Sequence, residues 1–263
     1  MDNEIADSMI KIIYENNHEI PVIISIPHSG LFIPQSMKRK LKKDVVLTNS
    51  DWYLSELYDF LESLGYTVIS SDVNRYVIDV NRNVLQKEGS SYKTNMVYTI
   101  TTQGDEIYDI PVTEHEIKKR MQNYYLPYHN LLKKSIEEKL KHFAKVYVVD
   151  LHSFGLNYGA DVILGNNFNK SCSRELSSFF IEAFAKNGFG VDENKPYSGG
   201  YITKNYGKRG QSCEAIQIEL WYYDYIQNRY FGKEELPDID EKTFSQCKWK
   251  MKAVFSELKE WLM

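Results

Sequence analysis

Apolar residues follow two different periods along this chain of 263 residues, and each period predicts a different element. Short apolar runs rich in β-branched residues predict buried strands at 21–26, 66–69, 76–80, 146–150, 161–165 and 215–220. Apolar residues spaced three and four apart predict helices over 54–64, 117–140, 176–184 and 244–262. The alternation of strands and helices predicts a three-layer α/β/α fold with a mixed, largely parallel sheet, in one domain spanning residues 1–263.

Local signals add starts, breaks and loops to this outline. Thr48 and Asp51 have the spacing of a capping box, and so do Thr113 and Glu116, so a helix is expected to begin after each pair. Pro127 is expected to kink or split the helix in which it lies. Residues 87–110 and 195–210 show no sustained period, which predicts loops, with a small hairpin possible in the first.

Composition and charge exclude several classes of protein. The 36 acidic and 32 basic residues give a net charge of -4, without the basic excess that nucleic-acid binding requires. The three cysteines form no CxxC pair, which argues against a disulfide framework or a thiolate metal site. No apolar run approaches the roughly 18 residues of a membrane span, and the N-terminus lacks the basic start of a signal peptide. We expect a cytoplasmic protein with a small-molecule partner, and the oligomeric state stays open.

Two histidines lie at the ends of predicted strands that are far apart in sequence. His28 follows the first strand and His152 follows the strand 146–150. Sites in α/β folds lie outside the carboxyl ends of strands, so the two rings are expected to meet there. Together with a carboxylate they would form a zinc site, and Asp51 is the candidate. Each residue also has an ordinary interpretation, as a hydrogen-bonded histidine or as an acid in the first turn of a helix.

Three charged residues are candidates for catalysis or substrate binding. Glu219 lies in an apolar strand, where burial would raise its pKa and make it a suitable general base, unless it faces solvent or pairs with an arginine. Arg75 and Arg82 flank the predicted strand 76–80. Each has a planar guanidinium, which can form two parallel hydrogen bonds with a carboxylate. Either arginine could instead be the ordinary partner of Asp72 or Asp79.

Seven short blocks stand out in order along the chain: 26–30 (IPHSG), 49–52 (NSDW), 75–82 (RYVIDVNR), 125–129 (YLPYH), 150–153 (DLHS), 197–201 (YSGGY) and 217–219 (QIE). Taken together, they resemble the N-formylglutamate amidohydrolase family. The resemblance implies a phosphorylase/hydrolase fold like that of the zinc carboxypeptidases. It also implies an enzyme that cleaves the N-formyl group from an amino acid such as N-formyl-L-glutamate, giving formate and L-glutamate, in histidine degradation.

The same resemblance assigns roles to individual residues. It implies Zn²⁺, or another divalent metal, held by His28, Asp51 and His152. Carboxypeptidases usually place a ligand glutamate where this chain has Leu31, so the acidic ligand is expected from Asp51. Glu219 is expected to move the proton, and Arg75 to stabilise the oxyanion. Asn81 and Arg82 resemble a pair that binds a terminal carboxylate. Substrate contacts are also expected from Gly199, Gly200 and Tyr201. The alternatives are a metallopeptidase, an amidase for another N-acyl amino acid, or a binding protein without catalysis.

Overall fold

A mixed sheet of seven strands runs through the described part of the chain, which in this computed structural model comprises residues 9–13, 19–84, 92–226 and 235–263. The strands are β1 (Ile10–Ile13), β2 (Val22–Ile26), β3 (Thr67–Ser71), β4 (Val146–Phe154), β5 (Val162–Gly165), β6 (Val191–Glu193) and β7 (Cys213–Trp221). Their order is β1-β3-β2-β4-β7-β5-β6. The four central strands are parallel, β1 runs antiparallel to β3, and β5 runs antiparallel to β7.

Helices cover both faces of the sheet. They are α1 (Gln35–Lys38), α2 (Leu54–Leu57), α3 (Phe60–Ser63), α4 (Glu114–Arg120), α5 (Leu126–Lys139), α6 (Arg174–Lys186), α7 (Tyr201–Tyr206), α8 (Tyr223–Ile226) and α9 (Glu241–Leu262). One apolar core lies between the sheet and α2, α3, α6, α8 and α9. A second core lies on the opposite face, against α4, α5, α7 and residues 73–80 and 92–108. The predicted three-layer α/β fold with a mixed, largely parallel sheet is therefore confirmed.

The central strands are buried on both faces because they carry almost unbroken apolar runs. In β2, Ile24 faces the first core and Ile23 the second, as the two-residue period of a strand requires. All the predicted strands except 76–80 are present. β1 and β6 were not predicted, since four and three residues are too few to show a period.

Several local predictions were wrong. Residues 76–80 form a buried loop and not a strand; there the Asp79 amide donates to the Met96 carbonyl at 2.7 Å instead of joining a ladder. Thr48 and Asp51 do not cap a helix: α2 begins after Tyr53, which has φ 59° and makes no side-chain cap. The predicted helix 54–64 is divided into α2 and α3, and the predicted loop 195–210 contains α7.

The helix around Pro127 shows how the chain accommodates a residue without an amide proton. The capping box of Thr113 and Glu116 is confirmed at the start of α4. A π-helical turn, Met121–Tyr125, then joins α4 to α5, and Pro127 lies in the first turn of α5. The predicted break is thus a change of helix type, and α4, the π-helical turn and α5 form one continuous helical segment.

Two further expectations concern loops and membranes. Residues 92–110 form an irregular segment, in agreement with the predicted loop, with one bridge between Ile100 and Glu106 and another between Tyr108 and Leu41. Residues 87–91 lie outside the described part of the chain. Within the described ranges, no helix combines the length and the apolar character needed to cross a bilayer.

Candidate active site

One face of the central sheet changes from apolar to polar toward the carboxyl ends of its parallel strands. Asp150 pairs in register with Ser25 of β2 and Gln217 of β7, and His152 pairs with Glu219. Residues two apart in a strand point to the same side, so these five side chains share one face. All of them are buried. A buried polar group at strand ends of an α/β sheet is the usual position of a functional site.

His28, Asp51 and His152 lie together at this edge. Each offers a ligand atom, and these atoms all lie within 4.8 Å of one another. The Asp51 Oδ2 atom is 2.9 Å from His152 Nδ1 and 3.5 Å from His28 Nδ1. The backbone amide of Asp51 also donates to the His28 carbonyl at 3.1 Å, which fixes the loop that carries the acid beside the end of β2. The structure thus brings together the three residues that the sequence placed at a metal.

The surroundings of the three side chains fit a metal ion. His28 Nε2 lies 2.7 Å from Asp79 Oδ1, and His152 Nε2 lies 2.9 Å from Asp150 Oδ2. A carboxylate behind each ring keeps a proton on Nε2 and turns Nδ1 toward Asp51, as is usual for histidine ligands. The buried atoms His28 Nδ1 and Asp51 Oδ1 have no hydrogen-bond partner, so two ligand atoms of the cluster are still available.

The charges within the cluster also fit a bound cation. Burial would lower the pKa of His152, but Asp150 and Asp51 raise it well above its ordinary value. Burial would raise the pKa of Asp51, and the two imidazoles lower it instead. His152 is therefore an imidazolium between two carboxylates when its Nδ1 carries a proton. A metal cation bound at Nδ1 would take the place of that proton.

Glu219 lies beside His152 on the neighbouring strand. It is 7% exposed, and its Oε1 atom accepts a hydrogen bond of 2.6 Å from Gln217 Nε2. Burial raises the pKa of Glu219 to about 8, in part opposed by the positive charges of His152 and Arg75. A buried carboxyl group whose pKa lies near neutral pH, next to a candidate metal centre, is able to accept and return a proton.

Asp79 links the histidine cluster to the two arginines. Its Oδ2 atom is 3.2 Å from Arg75 Nη2 and 3.7 Å from Arg82 Nη1, and it accepts the hydroxyl proton of Tyr98. The arginines and His28 together hold the pKa of Asp79 well below its usual range despite its burial. The ion pairs of the two arginines with Asp79, which the sequence suggested as an ordinary role, are therefore part of the site.

The predicted substrate residues on 75–82 differ in how freely they reach a ligand. Arg82 is partly exposed and donates to the carbonyl of Asn81 at 3.1 Å. The Asn81 amide is 3% exposed and engaged at both ends, since its oxygen accepts from the Ile202 amide at 2.8 Å and its nitrogen lies 3.4 Å from Asp150 Oδ2. Asn81 therefore lies among the residues that hold the histidines.

The glycine-rich turn before α7 is held against the same site. The Gly200 amide donates to Gln217 Oε1 at 2.7 Å, and the Tyr201 amide donates to the Asn81 carbonyl at 3.2 Å. A Cβ atom added at Gly200 would come within 2.2 Å of the Asn81 amide nitrogen. Gly199 has φ 107°, a conformation that favours glycine. These contacts explain why the turn contains two glycines.

Sequence reasoning missed Asp150 and Gln217 as parts of the site. Each stands two residues before a predicted site residue in the same strand, Asp150 before His152 and Gln217 before Glu219. The two-residue period of a strand puts such a pair on one face and would have identified both. Asp79 was considered only as a partner of arginine, because no local pattern connects it with His28, 51 residues earlier.

The fold and the site together define a hydrolase with an α/β architecture and a candidate metal centre at its strand ends. The model of the N-formylglutamate amidohydrolase family matches residues 20–225. The chain belongs to this family, as the resemblance of the seven sequence blocks predicted.

Relatives and a solved structure agree with this assignment. The chain is 26% identical over 231 residues to the N-formylglutamate deformylase of Pseudomonas putida, covering 83% of this chain and 86% of that protein. It is 28% identical over 223 residues to the N-formylglutamate deformylase of Pseudomonas aeruginosa, covering 80% and 84%. The crystal structure of N-formylglutamate amidohydrolase from Ralstonia eutropha JMP134 has the same fold, with a TM-score of 0.80 at 20% identity over 96% of this chain and 97% of that one.

Proposed function

We propose that this chain hydrolyses N-formyl-L-glutamate to formate and L-glutamate, with residues 1–263 acting as a single catalytic domain. The observation that carries the proposal is the buried cluster of His28, Asp51 and His152 beside the buried Glu219. Family membership and the names of the two Pseudomonas relatives support the N-formyl substrate. The reaction is consistent with a role of the family in histidine degradation.

In this proposal His28, Asp51 and His152 hold Zn²⁺ or another divalent ion. One aspartate and two histidines are the usual number and kind of ligands at a catalytic zinc, and their available Nδ1 and carboxylate atoms support the assignment. When bound, such an ion polarises the carbonyl that is attacked and makes the attacking water more acidic. Asp79 and Asp150 keep the histidine rings turned for this task.

Glu219 performs the proton transfer in this mechanism. Its carboxylate takes a proton from the water that attacks the formyl carbon and gives a proton to the amine that departs. Gln217 fixes the carboxylate through its hydrogen bond to Oε1, and burial raises the pKa of Glu219 to about 8. The side chain is thereby oriented before the substrate arrives.

The arginines and the turn before α7 hold the substrate. We assign the α-carboxylate to Arg82, whose guanidinium is the more exposed of the two, and the developing oxyanion to Arg75. Gly199, Gly200 and Tyr201 form the adjoining wall. For Asn81 to bind the substrate directly it would have to release Ile202 or Asp150, so we assign it the role of joining α7 to the histidine cluster.

The test measures formate release from N-formyl-L-glutamate together with the metal content of the protein. We expect turnover by the wild type. The Glu219→Gln variant should keep its metal and its fold and lose on the order of a hundredfold or more in kcat, as removal of a proton-transfer group does. Near-normal turnover by Glu219→Gln would contradict the role of this residue. Turnover of N-acetyl-L-glutamate without turnover of the formyl compound would indicate an amidase for another acyl group.

A further inference from the structure

Lys204 occupies a position on α7 that the proposed reaction does not use. α7 is fixed above Asn81, since the amides of Tyr201 and Ile202 donate to the Asn81 carbonyl and side-chain oxygen. Ile202 faces the apolar core, whereas Lys204 is exposed. Lys204 follows Tyr201 by three residues, so the two side chains lie on the same side of the helix. Tyr201 is one of the residues assigned to the substrate.

The neighbourhood of Lys204 contains an excess of positive charge. Its ammonium group has no carboxylate partner among the described residues. Arg82 lies near enough for its charge, after burial, to lower the pKa of Lys204. Arg82 in turn shares the single carboxylate of Asp79 with Arg75 and His28.

Arg75, Arg82 and Lys204 are therefore three cations on this side of the site, and the carboxylate of Asp79 is divided between His28 and the two arginines. The Arg82 guanidinium donates to the Asn81 carbonyl at 3.1 Å, and the same carbonyl accepts from the Tyr201 amide at the start of α7, one helical turn before Lys204. Two cations in this arrangement favour a ligand with two negative groups, because each anion removes part of their mutual repulsion. A monocarboxylate would engage only one of them.

We propose that Lys204 binds the side-chain carboxylate of the substrate while Arg82 binds its α-carboxylate, so that Lys204 selects N-formyl derivatives of dicarboxylic amino acids. The inference rests on the proposed function for the identity of the reacting amide. It adds the residue that distinguishes glutamate from amino acids with neutral side chains. Selection follows from an ammonium group that would lose its hydration without gaining a partner when the side chain is neutral.

The test compares N-formyl-L-glutamate with N-formyl-L-glutamine, which has the same shape and lacks the side-chain charge. Lys204→Met should lower kcat/KM for the glutamate compound about tenfold, mainly through KM, as loss of a charge-assisted contact does. It should change the value for the glutamine compound by less than about twofold. Lys204→Arg should retain most of the preference, and Lys208→Met is the matched control, since it removes a nearby exposed lysine of the same charge.

A second measurement separates this inference from the proposed function. Binding of L-glutamate and of L-glutamine to the metal-loaded protein is followed by calorimetry, with no turnover required. Weaker glutamate binding in Lys204→Met, with glutamine binding unchanged, supports the role of Lys204 even if the wild type hydrolyses neither formyl compound. Equal effects on both ligands, no effect on either, or the same effect from Lys208→Met would overturn it.

Discussion

At the scale of single residues, the two carboxylates behind the histidines determine what the rings can bind. Asp79 and Asp150 accept from the Nε2 atoms of His28 and His152 and leave both Nδ1 atoms facing Asp51. Asp150 is itself held by the Ser25 hydroxyl at 2.7 Å. Without these acceptors the rings would be free to turn or to change tautomer, and the ligand atoms would no longer converge.

Asp79→Asn and Asp150→Asn are each expected to weaken metal binding about 10- to 100-fold, the usual cost of removing a carboxylate behind a ligand histidine. Competition with a chromogenic chelator gives the metal affinity, and circular dichroism checks that the fold is retained. Asp59→Asn is the control, because Asp59 pairs with Lys248 at the surface and has no contact with the cluster. Wild-type affinity in both variants would show that the histidines orient themselves without these acids.

The close approach at Gly200 gives a second prediction at this scale. A methyl group at this position has no room beside the Asn81 amide, so Gly200→Ala must displace either Asn81 or the turn before α7. We expect a drop in kcat/KM of about tenfold or more, since displacement by an ångström is enough to disturb a reacting geometry. The exposed Gly190→Ala is the matched control, because the nearest atom to its added Cβ is the end of the Asp161 side chain at 3.3 Å and the nearest backbone atom is 3.9 Å away. Equal activity in the two variants would contradict the tight packing at Gly200.

At the scale of elements, the π-helical turn and α5 hold the buried loop that replaces the predicted strand 76–80. His129 Nε2 donates to the Val80 carbonyl at 2.9 Å, and its Nδ1 accepts from the Tyr206 hydroxyl at 2.9 Å. Tyr125 donates to the Arg82 carbonyl at 2.8 Å. Both side chains come from the helical segment around Pro127, so this segment positions the loop that carries Asp79 and Arg82.

These contacts explain which elements could be predicted. The central strands and the long helices show their period locally, because one face or both are buried over many residues. Residues 76–80 show a similar apolar run, yet their hydrogen bonds go to Met96 and to His129, which no local pattern reveals. His28, His152 and Glu219 could be found because they stand at or near strand ends. Asp79 could not, because its partner in the cluster lies on another segment.

The His129 contact predicts a dependence of stability on pH. Burial lowers the pKa of His129 from an ordinary value of 6.5 to about 4. The unfolded chain therefore binds a proton at His129 more readily than the folded protein does. The contribution of neutral His129 to the free energy of unfolding is complete above pH 6.5 and is lost as the pH falls toward 4. The loss amounts to about 3 kcal/mol, at 1.36 kcal/mol for each pH unit. In urea unfolding at several pH values, the free energy of unfolding should fall less steeply with decreasing pH for His129→Gln than for the wild type. The amide of the introduced side chain still donates to Val80. Equal slopes for the variant and the wild type would contradict this assignment.

At the scale of the whole molecule, the candidate metal centre joins segments that are distant in sequence. His28 follows β2, Asp51 precedes α2, and His152 lies in β4, with Asp79 behind His28 on a fourth segment. A ligand that binds only this assembled set stabilises the folded state relative to the unfolded chain. The stability of the protein is therefore expected to depend on the metal as well as on its two apolar cores.

Removal of the metal by a chelator should lower the free energy of unfolding by about 2.7 kcal/mol when the free metal had been at a hundred times its dissociation constant. The difference should shrink as the pH falls, because the carboxylates raise the pKa of His152 and its Nδ1 proton then competes with the metal. Thermal unfolding with Zn²⁺ and with chelator, at pH 8 and at pH 6, measures both effects. His152→Ala should show no response to Zn²⁺ at either pH. A full response in this variant would place the metal at other residues, and an equal response of the wild type at pH 6 and pH 8 would mean that no proton leaves the cluster when the metal binds.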